Sequence, residues 1–219
     1  SDKLLSENWK ELQGPALLVW NDSVFSERDL EGIQRLGLGS KRSDAEKIGQ
    51  YGVGFNAVYH LTDCPSFISN GETLCILDPH CRYAPGADAL KPGRRFDNLS
   101  TGFWDDFQDM RSAYLHSETQ RFPESMQKNL KVGSLFRFPI RHSEQLVSLS
   151  KIIPKHDDKE RSSKPLAAKA LHDLLNAWSP FVKKSMLFLN NINAITFCTI
   201  EQSGKCLILH HYETRISTD

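Results

Sequence analysis

Residues 49–55 constrain the fold of this chain more than any other stretch. They place three glycines in seven positions and are followed at once by a run with helical spacing. Because glycine lacks Cβ, it can adopt positive φ and lets the backbone approach a ligand closely, and amides that converge on a helix N-terminus attract anions. This stretch, called here the glycine box, predicts a phosphate-binding loop; a tight turn packed against a sheet is the alternative.

The spacing of these glycines argues against two common phosphate-binding folds. The order G-x-x-G-x-G is neither the dinucleotide fingerprint G-x-G-x-x-G nor the P-loop G-x-x-x-x-G-K-[ST]. Gly32 and Gly37 do have P-loop spacing, but Leu38 stands where the lysine should be.

Composition narrows the class of protein. Lys plus Arg and Asp plus Glu both number 27, so the 219-residue chain has no net charge and no strong field for nucleic acid or an anionic membrane. It shows neither an apolar run of about 20 residues nor a signal-peptide core. Its five cysteines include no C-x-x-C pair, which argues against a disulfide framework or a structural metal. We expect a soluble, cytoplasmic protein with reduced thiols that binds neither nucleic acid nor membrane.

The first third of the chain predicts a strand, a short helix and a lid. Residues 16–20 are apolar and end at the polar pair Asn21 and Asp22, which is typical of a buried strand with polar groups at its end. A capping-type pattern at Ser26 predicts a short helix that ends at Gly37. The glycine-rich, polar residues that follow predict a mobile lid over a phosphate site.

Beyond the glycine box, helical spacing continues to about Thr62, and Pro65 ends it. Two short strands around Asn70-Gly71 are a hairpin candidate, because Asn-Gly suits a tight primed turn. Residues 79–132 then form a long insertion with room for one helix.

The last third predicts a further strand, a long helix and three closing strands. Residues 134–138 alternate as a strand does, and the charged residues 154–164 are expected to form a flexible loop. Leucines at helical spacing between residues 166 and 178 predict a long amphipathic helix. The closing strands are predicted at residues 186–189, 194–200 and 206–209.

This order of elements predicts one domain over residues 1–219. Its fold class is α/β (α+β), a two-layer sandwich in which a mixed β-sheet is covered by helices on one face.

Several motifs together resemble a known family. Besides the glycine box, they are Gly14-Pro-Ala-Leu, Val24-Phe-Ser, Leu77-Asp-Pro-His80 and the runs at residues 52–63 and 136–141. The chain resembles the ATP-binding domain of Hsp90 and its relatives among gyrases, histidine kinases and MutL proteins, and more narrowly the Hsp90-like repeats of the sacsin family. The resemblance implies a Bergerat-type sheet with an ATP-binding pocket.

The resemblance also implies the residues of that pocket. Asn21 stands where the family has an aspartate that accepts a hydrogen bond from adenine, with Asp22 beside it. Lys41 falls in the lid, where a family lysine approaches the nucleotide, and Ser134 matches a family threonine whose hydroxyl holds the adenine-contacting carboxylate. The candidate nucleotide-binding residues are therefore Asn21, Asp22, Lys41, Gly49, Gln50, Tyr51, Gly52, Val53, Gly54, Phe55 and Ser134.

The family's catalytic glutamate and magnesium-binding asparagine have no match at the expected place. In the family they lie four residues apart on a helix before the first strand, whereas Glu7 and Asn8 are adjacent and Glu11 holds the fourth position after Glu7. We therefore expect a chain truncated at its N-terminus, with residues 6–12 as a connecting segment. It should contain no catalytic residue and no metal ligand of its own. Mg-ATP is the cofactor that the resemblance implies.

Two functions follow from the resemblance. The first is a chaperone-type module of a very large Hsp70 co-chaperone protein, with a degenerate nucleotide pocket and a role in protein folding or assembly. Its partners would be Hsp70-type chaperones, client proteins and neighbouring domains. The alternative is an active Mg-ATP-dependent ATPase once the missing N-terminal helix is supplied.

Three other groups of residues carry two interpretations each. Arg137 and Arg141 could bind phosphate or an acidic partner, or they could form ion pairs at the sheet rim. The aromatic cluster within residues 103–107 could be an exposed client surface or part of the core. The basic residues 91–95 read as a solvated loop rather than a nucleic-acid site.

Overall fold

A computed structural model of the chain describes residues 4–34, 53–114, 133–152, 164–189, 191–201 and 205–214. Five of its strands form one sheet, in the order β1-β5-β2-β3-β4, and two further strands form a separate hairpin. The five strands are β1 (Ala16–Asn21), β2 (Ser66–Ser69), β3 (Thr73–Leu77), β4 (Gly93–Phe96) and β5 (Ser134–Pro139). The hairpin consists of β6 (Ala194–Ile200) and β7 (Cys206–Glu213).

Helical segments connect and cover these strands. The α-helices in the described part of the chain are α1 (Glu27–Gln34), α2 (Val53–Asn56), α3 (Thr101–Asp106), α4 (Gln108–Ala113), α5 (Glu144–Leu149) and α6 (Ala168–Met186). Short 3₁₀ segments occupy Glu7–Leu12 and Ala57–His60. The sheet with its helices confirms the predicted α/β sandwich.

The strand directions and the placement of the helices differ from the prediction. Each neighbouring pair in the five-stranded sheet is antiparallel, so this sheet is not mixed. Helical segments pack on both faces, because each face is apolar at alternate positions of β2, β3 and β5. The direction of a strand in the sheet, and the face that a helix covers, depend on contacts between segments that are far apart in the chain. A local sequence pattern does not contain this information.

One side of the sheet, called here the core face, carries Leu74, Ile76 and Leu135. The 3₁₀ segment Glu7–Leu12, α3 and α4 cover it, and Trp9 of that 3₁₀ segment is only 1% exposed. The predicted connecting segment at residues 6–12 is therefore part of the core. Burying even a smaller apolar side chain, such as leucine or phenylalanine, contributes roughly 1.5–3 kcal/mol to folding.

The opposite side, called here the aromatic face, carries Phe67, Phe136 and Phe138. The rings of Phe67 and Phe136 lie 5.1 Å apart, and those of Phe136 and Phe138 lie 6.0 Å apart. Helix α1 covers this face through Leu30 and Ile33. The aromatic face therefore lies between the sheet and the helix that the capping pattern predicted.

The hairpin between β2 and β3 confirms the predicted primed turn. Asn70 and Gly71 both have positive φ, at 53° and 67°. A type I′ turn needs positive φ at both central positions, which asparagine and glycine tolerate best.

Gly133 permits β1 and β5 to pair at full length. Its φ is 121°, and a Cβ at this position would lie 2.2 Å from the carbonyl oxygen of Asn21. No side chain fits in that space, so the close approach of the two strands requires glycine.

A buried ion pair joins three segments beside the sheet. Arg141 Nη1 donates to Asp63 Oδ1 at 3.1 Å, and its Nη2 donates to the carbonyls of Tyr59 and His60 at 2.7 and 2.8 Å. The hydroxyl of Ser150, at the end of α5, donates to the same Asp63 oxygen at 2.6 Å. Burial lowers the pKa of Arg141.

Arg137 is also buried, but its partners are backbone carbonyls. Its Nη2 donates to Leu12 O at 2.7 Å and lies 3.4 Å from Gly14 O. Burial lowers the pKa of this guanidinium as well. Arg141 therefore forms an ion pair, which was one of the interpretations open for the arginines. The pair is buried inside the protein, however, and does not lie at the sheet rim.

The described part of the predicted insertion, residues 79–132, is more regular than expected. It contains strand β4 and the helices α3 and α4. The solvated loop predicted at residues 91–95 is wrong, because Gly93 to Arg95 pair with β3 as part of β4. The aromatic cluster at residues 103–107 belongs to the core, where Trp104 is 4% exposed.

The C-terminal part confirms the long helix and two of the three closing strands. The strand predicted at residues 186–189 is wrong: Met186 ends α6, and turns follow it. Val182 and Met186 are both buried and one helical turn apart, so the apolar run continues the helix stripe. The predicted lid lies outside the described residues, and so do residues 154–163 of the flexible loop predicted at residues 154–164.

We predict that Gly133→Ala lowers the free energy of unfolding by about 1–3 kcal/mol from backbone strain alone, because alanine must keep positive φ and its Cβ meets the Asn21 carbonyl. Urea unfolding measures the change. The matched control is Gly102→Ala in α3, where the added Cβ would lie 3.5 Å from Ser100 Oγ, an ordinary contact. Alanine favours a helix by up to about 1 kcal/mol, so the control should be neutral or stabilising. Equal stability of the two variants would contradict this account of Gly133.

We predict that Asp63→Asn destabilises the protein by about 3–5 kcal/mol, because it leaves the buried Arg141 charge without its partner. The matched control is Glu27→Gln, which removes one of the two exposed carboxylates that pair with Arg95. Solvent screens that pair, so its loss should cost far less. Thermal and urea unfolding of both variants test the difference, and similar losses from both would show that burial does not set the strength of the Arg141 pair.

Candidate functional site

The ends of β1, β2 and β5 bring two of the predicted site residues together on the aromatic face. Asn21 is paired with Ser134 in the register of β1 and β5, and Ser69 is paired with Ser134 in the register of β2 and β5. Side chains at paired positions lie on the same face of a sheet. The structure therefore places Asn21 beside the serine that the resemblance assigns to adenine recognition.

A chain of hydroxyl groups occupies this end of the sheet. Ser134 Oγ donates to Ser23 O at 2.8 Å and lies 3.0 Å from Ser69 Oγ. Because the single hydroxyl hydrogen of Ser134 goes to Ser23, Ser69 must donate to Ser134. Ser69 in turn accepts from the amide of Phe25 at 2.9 Å. These hydrogen bonds hold residues 23–25 against the end of the sheet.

Asn21 makes a local hydrogen bond. Its side-chain Oδ1 accepts from the amide of Ser23 at 3.1 Å, which forms a turn of the kind that asparagine favours after a strand. Both Asn21 and Asp22 are exposed. The oxygen that would accept from adenine is thus already bonded to the protein's own backbone.

Phe55 fixes α2 above the aromatic face. Its ring lies 6.1 Å from that of Phe136 and 6.4 Å from that of Phe138, distances typical of aromatic pairs. Cys75 lies in the same apolar layer, and burial raises the pKa of its thiol to about 11, so it stays neutral. The space beneath α2 is therefore apolar.

The rest of the glycine box is described only in part. Gly54 is exposed in α2, and a Cβ there would meet no atom of the described residues within 4 Å. Val53 begins α2. Lys41, Gly49, Gln50, Tyr51 and Gly52 lie outside the described residues, so their predicted roles stay predictions.

Neither buried arginine has a guanidinium directed at this site. Arg137 and Arg141 bond to carbonyls and to Asp63, as described above, and the phosphate-binding interpretation has no support from these contacts. A cavity of about 680 Å³ opens elsewhere, between β1, α4 and α6, and Arg137 lines it. Of the predicted nucleotide-binding residues that the structure describes, none lines that cavity.

Ser69 is the site residue that sequence reasoning missed. Its relation to Ser134 becomes visible only once β2 is known to lie next to β5, 65 positions away in the chain. In the sequence, the only indication that Ser69 belongs to the site is its position at the end of a predicted hairpin strand, and this indication is weak.

The described residues contain no group of three or more His, Cys, Asp or Glu side chains that could hold a metal ion. Among the helices in this part of the chain, none combines the length and apolarity needed to cross a membrane.

Comparison with known proteins identifies the family. A family model described as the Sacsin domain matches residues 1–211. The protein Sacsin of Homo sapiens is 39% identical over 217 residues, which cover 99% of this chain but only 4% of that relative. The chain thus spans a small fraction of the length of the curated relative that it matches. It belongs to the sacsin-domain family.

Proposed function

We propose that this chain is a chaperone-type binding module of a sacsin-type polypeptide, with a degenerate nucleotide pocket and no ATPase activity of its own. The observation that carries the proposal lies at the end of β1. Asn21 has an amide where the family has a carboxylate, and its Oδ1 accepts a hydrogen bond from the amide of Ser23.

Adenine recognition needs a strong acceptor for the exocyclic amine. A charged acceptor makes a hydrogen bond roughly twice as strong as a neutral one, so an amide at this position weakens recognition even before its oxygen is shared. Ser134, which would hold the family's carboxylate, instead donates to Ser23 O. The side chains of Asn21 and Ser134, which would form the base of the pocket, are thus both hydrogen-bonded to the protein's own backbone.

The acidic and amide side chains of the N-terminal 3₁₀ segment also have other partners. Asn8 Nδ2 donates to the carbonyl of Arg82 at 2.9 Å, and Glu11 pairs with the Arg82 guanidinium at 2.7 Å. These contacts tie the segment to the loop after β3. They support the expectation that hydrolysis would need groups from outside this chain.

Helix α6 supports a binding role because it carries an exposed apolar strip. Leu174, Trp178 and Phe181 recur at helical spacing, and Leu187 and Phe188 follow the helix end; each is between 49% and 77% exposed. Exposed apolar patches of this kind commonly mark interaction sites. We assign the strip to the binding of unfolded client proteins. Hsp70-type chaperones and neighbouring domains are the further partners that the family resemblance implies. The same resemblance implies a location in the cytoplasm.

We predict that calorimetric titration with Mg-ATP or Mg-ADP gives no saturable heat up to about millimolar nucleotide, which corresponds to a binding free energy weaker than about −4 kcal/mol. Asn21→Asp should strengthen binding, because it supplies the charged acceptor. Micromolar binding by the unmodified chain, abolished by Gly52→Val, would contradict the degenerate pocket and favour the ATPase alternative. Hydrolysis of Mg-ATP by this chain would contradict it directly.

We predict that the chain delays aggregation of a thermally unfolded reporter enzyme, and that the double variant Leu174→Ser/Phe181→Ser loses most of this effect because the strip loses its apolar surface. The matched control is Leu90→Ser, since Leu90 is 93% exposed and lies apart from the strip in the chain. Light scattering follows aggregation, and circular dichroism checks that the variants stay folded. Equal activity of the folded double variant and the Leu90 variant would overturn the assignment of the strip.

A further inference from the structure

The side-chain amide of Asn176 connects helix α6 to the β6–β7 hairpin. Its Oδ1 lies 2.9 Å from Nε2 of His210 on β7, and its Nδ2 lies 3.2 Å from Nδ1 of His172, one turn earlier in α6. The hydroxyls of Ser179 and Tyr212 make a second polar contact between the helix and the hairpin. The hairpin is not part of the five-stranded sheet, so side-chain contacts of this kind hold it against α6.

This arrangement fixes the positions of the protons on both imidazole rings. An amide oxygen can only accept a hydrogen bond, and an amide NH2 group can only donate one. His210 must therefore carry a proton on Nε2, whereas Nδ1 of His172 must be bare, because it accepts from Asn176. A charged imidazole carries protons on both nitrogens. The arrangement therefore requires a neutral His172 but is compatible with either charge state of His210.

We propose that His172 is a proton sensor that controls how firmly β7 is held against α6. Protonation turns Nδ1 of His172 into a donor, which opposes the NH2 group of Asn176 and can bond instead to Asp173 Oδ1, 3.6 Å away. Asn176 then loses one of the two contacts that orient its amide. If the amide turns over to offer its oxygen to His172, its NH2 group meets the protonated Nε2 of His210. Either response weakens the hydrogen bond to β7. The inference goes beyond the proposed chaperone function and does not rest on it.

The groups around the two rings allow this change without unfolding. The side chain of His172 is 37% exposed, so protons reach it from solvent. Titratable or charged groups on the neighbouring elements are Arg137, Asp109 and Cys198, which line the same cavity as His172, and Tyr212 and Lys183 on the side of His210. Arg137 disfavours a further positive charge and Asp109 favours one, whereas Cys198 is neutral because burial raises the pKa of its thiol to about 12. Histidine is the side chain that changes charge between about pH 5 and 8, which sets the range to be scanned.

Nitrogen-15 NMR of the histidine rings in the full chain tests the starting state. At about pH 8 we expect both His172 and His210 to carry their protons on Nε2. Lowering the pH should charge His172, and the side-chain amide signals of Asn176 should change with the same midpoint. A proton on Nδ1 of neutral His172 would overturn the proposal, and so would an Asn176 amide that does not follow the titration of His172.

Hydrogen exchange measures the consequence for β7. After correction for the pH dependence of intrinsic exchange, the backbone amides of β7 should lose about three- to tenfold of their protection between about pH 8 and pH 5, the factor that one ordinary hydrogen bond supplies. His172→Gln should abolish this loss, because the glutamine oxygen accepts from Asn176 at every pH. His172→Arg, which is always charged, should lower the protection even at about pH 8.

The matched control is His211→Gln. His211 follows His210 on β7 but lies on the other face of the hairpin, where its Nδ1 is 2.8 Å from Thr196 Oγ1. This variant should keep the full pH dependence, whereas Asp173→Asn should move its midpoint to lower pH because charged His172 loses an acceptor. Circular dichroism checks that each variant is folded. The same loss of protection in folded His172→Gln as in the unmodified chain would overturn the proposal.

Discussion

The structure depends on the pairing of β5 with both β1 and β2. β5 lies second in the sheet, although more than a hundred residues separate it from β1 in the chain. Its backbone hydrogen bonds connect the N-terminal strand to the β2–β3 hairpin, and its side chains contribute to both faces of the sheet. Loop closure over such a distance costs entropy, which the burial of both faces must offset.

The same pairing assembles the candidate site. Asn21, Ser69 and Ser134 come from three separate parts of the sequence, and the registers of β1 and β2 on β5 bring them to one end of one face. Gly133 is the residue that allows this approach, because a side chain there would collide with the backbone of β1. The polar end of the sheet is thus an outcome of strand order rather than of any local motif.

The sequence could predict what short-range patterns determine. The capping pattern before α1, the Asn70-Gly71 turn and the helical stripe of α6 all appear in the structure as expected. Strand β4 escaped prediction because it joins the sheet by backbone pairing at residues whose composition, Gly-Arg-Arg-Phe, resembles a loop. The burial of Arg137 and Arg141 also escaped it, since the carbonyls and the carboxylate that accept their hydrogen bonds come from distant segments. For the site, the pairing of Asn21 with Ser134 was foreseeable only through family resemblance.

The buried guanidinium of Arg137 has a consequence for unfolding. It grips the carbonyl at the end of the N-terminal 3₁₀ segment from the middle of β5, while Trp9 anchors the same segment in the core. The N-terminal segment can therefore leave the sheet only if Arg137 loses this acceptor and Trp9 leaves the core. Because both contacts involve the body of the sheet, detachment of the segment is coupled to the opening of β5, so the two should unfold in one cooperative step.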